Sequence, residues 1–149
     1  MECKRVRKHF RMAGIRNSGA FTSFASEVPA AAQQFMKRSD EIQGGMSVEA
    51  ALYEPKRDEK HLEGEYIVGL LVKEPLDDIP AGMEYIELKQ DYIMTRGKMN
   101  EIASLHNDLV KWGEEQGYQR NLNSYIAETY HPAEKGGEEV EIYLPILSE

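Results

Sequence analysis

Two stretches of this chain, 77 residues apart, carry the same order of patterns, and nothing else in the sequence narrows the fold so far. Moved by 77, Val28 falls on Leu105, Ala32 on Leu109, Phe35 on Trp112, Tyr53 on Tyr130 and Pro55 on Pro132. A connection three residues longer in the first half then sets Val68 on Ile142, a shift of 74. Each half reads strand, helix, strand, strand. Self-similarity at a fixed spacing marks a duplicated unit. Two such units most economically form one antiparallel sheet with both helices on one face, an α+β sandwich. The units span about 4–73 and 83–147 of a single domain covering 1–149.

The individual elements follow from spacing and punctuation. A first strand runs from Arg5 to Arg16. A helix from about Ser26 to Ile42 places Val28, Ala32, Phe35, Ser39 and Ile42 on one face, with Pro29 in its first turn and Gly44-Gly45 as its stop. Strands Val48–Tyr53 and Glu65–Val72 close the first half, and the Pro- and Asp-rich segment from Lys73 to Gly82 links the two. Strands Met83–Leu88 and Tyr92–Thr95 precede a second helix, Met99 to Gln116, with Ile102, Leu105, Leu109 and Trp112 on one face and Gly117 as its stop. The chain closes with a hairpin from Ser124 to Ile146, turning at Ala-Glu-Lys-Gly-Gly. Pro145 lacks an N–H and must sit where the ladder does not need one.

The repeat assigns the faces. Val48, Ala50 and Leu52 match Tyr125, Ala127 and Thr129, and Val68, Leu70 and Val72 match Ile142, Leu144 and Ile146. These are expected to look toward the helices. The opposite face then carries Ala51, Tyr53, Ile67, Gly69 and Leu71 in one half, and Glu128, Tyr130, Glu141 and Tyr143 in the other. Gly69 stands where its counterpart is Tyr143, which opens room. An apolar, hollowed wall facing an aromatic wall with carboxylates suits a concave ligand site. A carboxylate between Ile126 and Tyr130 on one strand face is the detail that asks for a ligand, although a solvated strand glutamate is the plainer reading.

Composition excludes several classes. The chain has 149 residues and a net charge of −8, which disfavours a phosphate backbone as partner and favours cations. Lys4, Arg5, Arg7, Lys8, His9 and Arg11 crowd the first strand, and read best as charges that protect a solvated edge. The single Cys3 forms no internal disulfide, which fits a reducing cytoplasm. His9, His61, His106 and His131 are scattered, with no metal-ligand spacing, and no cofactor motif is visible. The apolar run Ile67–Val72 is far too short to cross a bilayer.

The residues resemble a known family. Ala-Gly-Ile-Arg-Asn-Ser-Gly at 13–19, Ile-Pro-Ala-Gly at 79–82 and Asp-Tyr-Ile-Met-Thr-Arg-Gly at 91–97 are matching pieces. So are Val-Lys-Trp-Gly-Glu-Glu-Gln-Gly-Tyr at 110–118, Ala-Glu-Thr-Tyr at 127–130 and Glu-Ile-Tyr-Leu-Pro-Ile at 141–146. In that order they resemble the GyrI-like small-molecule-binding domain, also called the AraC-type effector-binding or SOUL-like fold. The resemblance implies multidrug binding of hydrophobic, often cationic compounds, commonly within a transcription regulator. It implies a pocket acid at Glu128 with Tyr143 nearby, and sets Tyr92 in the pocket region. Residues 1–25 hold no helix-turn-helix, so direct DNA binding is not expected.

Tyr53 and Tyr130 serve either as pocket walls or as packed corners, and Glu141 as a rim charge. Trp112 belongs to the helix core. A carboxylate sheltered by tyrosine rings is expected to have a raised pKa, and a bound cation would restore its charge. The leading function is a cytoplasmic protein that binds amphipathic, cationic drugs or toxins, sequestering them or reporting them to a protein partner. The alternatives are a hydrolase of cyclopropane-bearing or other electrophilic toxins, using Glu128 as acid and base, and an interaction protein that modulates gyrase.

Overall fold

A computed structural model describes residues 2–133 and 136–147; Glu134 and Lys135, in the predicted hairpin turn, lie outside the described residues. The elements in chain order are β1 (Cys3–Ala20), α1 (Phe24–Met36), β2 (Gly45–Tyr53), β3 (Glu63–Val72), β4 (Glu84–Lys98), α2 (Ile102–Glu115), β5 (Ile126–Pro132) and β6 (Glu138–Pro145). A short 3-10 turn leads into each helix, at Phe21–Ser23 and at Met99–Glu101. The strand–helix–strand–strand order occurs twice, in an α+β fold with an antiparallel sheet and two helices.

The sheet does not stay open. Its strand order is β1-β3-β2-β5-β6-β4, and β4 pairs back onto β1 to close a six-stranded barrel. The first strand makes closure feasible by its length. Its outer part, Cys3 to Gly14, pairs with β4, and Met12 to Ala20 pairs with β3. It is therefore no edge, and the expected solvated edge strand is corrected. The basic residues have partners instead: Arg5 and Arg7 each lie 3.3 Å from Asp91, and His9 Nε2 lies 2.6 Å from Glu87. The same pairing corrects the break expected after Leu88. Lys89, Gln90 and Asp91 continue β4 opposite His9, Lys8 and Arg7, and the Arg7–Asp91 pair sets opposite charges across the ladder. The first helix is also shorter than expected, ending at Met36, with a 3-10 turn at Ser39–Glu41 before the glycines.

Closure divides the apolar residues into one inner and two outer clusters. Inside the barrel, Phe10, Met12, Leu52, Ile67, Tyr92, Met94 and Tyr143 meet from five strands. Phe10, Tyr92 and Tyr143 form an edge-to-face triad with centroids 5.0–5.8 Å apart. Outside, α1 covers Ala51, Val68, Leu70 and Val72 with Phe35. The second helix covers Ile126, Ile142, Leu144 and Ile146 with Leu105 and Leu109.

The expected faces of β3 and β6 hold, but those of β2 and β5 are inverted. Ala50, Leu52 and Ala127 point into the barrel, while Ala51, Tyr53, Ile126, Glu128 and Tyr130 lie on the helix side. Register dictates this, because Ala51 sits opposite both Val68 and Glu128, and Glu128 sits opposite Ile142. Residues directly opposed in a sheet share a face, and a one-residue change of phase exchanges the faces of a strand. Both faces of β5 are mixed in polarity, so its alternation gave little guidance. The face opposite the helices is thus a filled interior, not a concave wall. A Cβ on Gly69 would lie 2.0 Å from the Ala13 carbonyl oxygen and 2.7 Å from Gly14 Cα. Gly69 lets β1 and β3 approach closely and opens no hollow.

Candidate ligand-binding site

On the helix side of the β2–β5 pair, one carboxylate is enclosed. Glu128 is only 5% exposed. Its cross-strand neighbour is the small Ala51, which leaves space above the sheet, and Tyr53 stands two residues further along β2. Tyr130 follows two residues later on β5, on the same face. The Tyr130 hydroxyl donates to Glu128 Oε1 at 2.6 Å, and the Tyr53 hydroxyl donates to Oε2. From above, His106 of α2 brings Nε2 to 2.6 Å from the same Oε2 and 3.0 Å from the Tyr53 oxygen. Tyr53 and Tyr130 each touch both outer clusters, so the group occupies the seam between the two helices.

The electrostatics differ from the sequence expectation. Burial pushes the Glu128 carboxyl up, but the hydrogen bonds from His106, Tyr130 and Tyr53, together with the charge of His106, hold it below the ordinary carboxylate range. The expected rise is corrected because desolvation is offset by donors on both oxygens. Both phenols are pushed well above their usual value, first by burial and then by the charge on Glu128, so they remain donors. The result is a fixed negative charge held in a low-dielectric setting.

Tyr130 links that charge to the surface. It is one of the residues lining a groove of about 450 Å³ between α1 and the turn before α2. Val28, Ala32, Met36 and Met99 supply apolar walls, and Glu49 and Glu138 stand in the lining as well. Glu49 is raised above its ordinary value, first by burial and then by the charge of Glu138. A phenol that donates to a carboxylate has an electron-rich ring, and a cation over such a face is attracted by up to about 2 kcal/mol when desolvated. A carboxylate, an imidazole and two phenols in contact can also move a proton.

The sequence-predicted residues divide into two sets. Glu128, Tyr130 and Tyr53 come together. Tyr143, Tyr92 and Ile67 lie inside the barrel, on the other side of the sheet. Burial raises the Tyr92 hydroxyl to about 12. Glu141 lies half-buried on the Tyr143 side, accepting hydrogen bonds from Tyr143 at 2.6 Å and Arg96 at 2.8 Å. Glu128 and Glu141 therefore face opposite sides of the closing hairpin. His106, Glu49 and Met99 were not foreseen. His106 had a signal: it falls within the apolar stripe of α2, four residues after Ile102 and three before Leu109, where a polar side chain needs a buried partner. Among the described residues no cluster of His, Cys, Asp or Glu is arranged to hold a metal ion. No described helix is long and apolar enough to cross a membrane.

No protein-family model and no curated protein matches the chain. Solved structures do. An integron cassette protein from the mobile metagenome of Vibrio cholerae superposes with a TM-score of 0.67 at 10% identity, over 97% of this chain and 95% of that one. The C-terminal domain of EcmrR gives 0.61 at 15% identity, over 99% and 98%. A hydrolase from Listeria innocua gives 0.61 at 11% identity, over 98% and 92%. At these identities the shared property is the fold.

Proposed function

We propose that the chain binds amphipathic organic cations in the groove over Tyr130, as a GyrI-like effector-binding domain would. The observation that carries this reading is the enclosed Glu128, which accepts a hydrogen bond from Tyr130, a residue of the groove lining. Apolar walls supply burial for an aromatic or aliphatic body, and the charge selects a cation over a neutral analogue. The resemblance to effector-binding domains brings with it a sensing or sequestering role exercised through a partner, and the fold shared with the C-terminal domain of EcmrR accords with that resemblance. Titration calorimetry with proflavine, cationic at neutral pH, against the neutral acridone tests it. Saturable binding of proflavine at one site, at least tenfold tighter than acridone, is the expected result. Equal affinity for the two would defeat the reading.

A second reading rests on His106. An imidazole 2.6 Å from a carboxylate, with two phenols beside it, has the parts of a proton-transfer catalyst. The fold of a Listeria innocua hydrolase accords with it. Here Glu128 and His106 would activate water against a strained, electrophilic ring. Incubation with a cyclopropane-bearing alkylator decides between them, since a binding protein yields complex without hydrolysed product.

A further inference from the structure

Arg120 stands apart from the other arginines of the chain, each of which lies within ion-pair distance of a carboxylate. Among the described residues Arg120 has no ion-pair or hydrogen-bond partner, and its Nε is buried without an acceptor. The chain carries a net charge of −8, so a shortage of acids does not explain the vacancy.

The position of this guanidinium is set by the backbone. Arg120 forms an antiparallel bridge with Ile146, and the chain on either side is fastened by Leu147 N–H to the Gln119 carbonyl and by Asn121 N–H to the Pro145 carbonyl. Ile146 packs beneath α2, so Arg120, directly opposite, faces the helix side as well. It does not cap the helix. The carbonyls of Trp112, Gly113 and Glu114 accept instead from Gln116, Tyr118 and Gly117. Burial pushes the guanidinium below its ordinary value, and Tyr53 and Glu114 oppose that shift through space, without contact. Only Nε is shut away from water; the two terminal nitrogens are open and unoccupied by any described group. A buried Nε fixes the plane of the fork, and a desolvated positive charge without a counter-charge is unfavourable until an anion arrives.

We infer that Arg120 is an anion-binding residue that takes the carboxylate of a small organic acid end-on, through its two terminal nitrogens. A planar carboxylate meets both donors at once, and a spherical ion meets them poorly. The residue follows the C-terminal end of α2, whereas the groove over Tyr130 lies by the turn that precedes that helix. The two sites are therefore separate, and this inference does not rest on the cation-binding reading.

The test is titration of the full chain with sodium benzoate, followed through the backbone amides of Gln119 to Asn121 by NMR. Benzamide is the neutral control of the same shape, and sodium chloride at equal ionic strength is the control for screening. The expected result is a saturable shift with benzoate and an affinity for benzamide at least about tenfold weaker. Arg120→Gln should abolish the benzoate shift. Arg120→Lys keeps the charge, removes the fork and should weaken benzoate several-fold, so a variant of either kind that folds is sufficient. Absence of a saturable benzoate shift overturns the inference. So do equal responses to benzamide or chloride, or benzoate binding unchanged in Arg120→Gln. None of these outcomes bears on proflavine.

Discussion

His106 Nε2 lies 2.6 Å from Glu128 Oε2, so helix α2 is fastened to strand β5 by the carboxylate that gives the site its charge.

His106→Gln should therefore act in two directions. Loss of a charge-assisted hydrogen bond to a buried acid is expected to cost about 1–3 kcal/mol in urea unfolding. The same change takes one donor away from the Glu128 carboxylate, so the affinity for proflavine should rise. Unchanged affinity with reduced stability would show that the imidazole fastens the helix and plays no part in the site.

Glu128 and Glu141 separate the candidate site from the framework. Glu128→Gln preserves shape and removes charge, and is expected to weaken proflavine at least tenfold, about 1.4 kcal/mol, with little effect on acridone. Glu141→Gln lies on the other side of the sheet and breaks contacts to Arg96 and Tyr143, so it should alter ligand affinity much less. Calorimetry on both variants checks the order.

The acid limb of stability follows from the lowered Glu128 carboxyl. A group whose folded value lies below its unfolded one adds stability that is complete above the unfolded value, about 4.3 for glutamate. That contribution disappears as pH falls through the folded value. The stability difference between the unmodified chain and Glu128→Gln should thus be largest near neutrality and vanish in strong acid. Urea unfolding of both at a series of pH values measures it, and a difference that grows toward acid would contradict the assigned direction.

The two helix aromatics are not equivalent anchors, despite their matched positions in the repeat. Phe35 is 2% exposed under α1, and Phe35→Ala is expected to cost about 3–5 kcal/mol. Trp112 is half-buried and lies against Tyr118 with centroids 5.9 Å apart. Trp112→Ala should cost about 1–2 kcal/mol, because water already reaches part of its ring. Equal losses for the two would restore the equivalence.

How far the sequence could be read depended on the quality of each local pattern. The helix stripe of Leu105, Leu109 and Trp112 and the runs Val68–Val72 and Val140–Ile146 have clear periods, and they placed α2, β3 and β6 correctly. Glu128 was legible because an acid between Ile126 and Tyr130 breaks a strand pattern, and Tyr53 because it repeats Tyr130. Strand β5 has no clean alternation, so its phase was set only by pairing with Ala51 and Ile142. Barrel closure was hidden because it depends on β1 being long enough to reach two neighbours, and its charges read as solvated until Asp91 and Glu87 were seen opposite. His106, Glu49 and Met99 belong to the site through contacts distant in sequence, which periodicity does not register.

The barrel is also two three-stranded leaves, β1-β3-β2 from the first half of the chain and β5-β6-β4 from the second, joined along two seams. One seam runs the whole way from Cys3 to Gly14 against β4; the other holds only from Glu49 to Tyr53 against β5. Like a book, the molecule has a stiff spine and a short fore-edge, and any parting of the leaves begins at the fore-edge. Tyr53 and Glu49 lie on one leaf there, Glu128 and Tyr130 on the other. A molecule that gripped both would act as a clasp across the shorter seam.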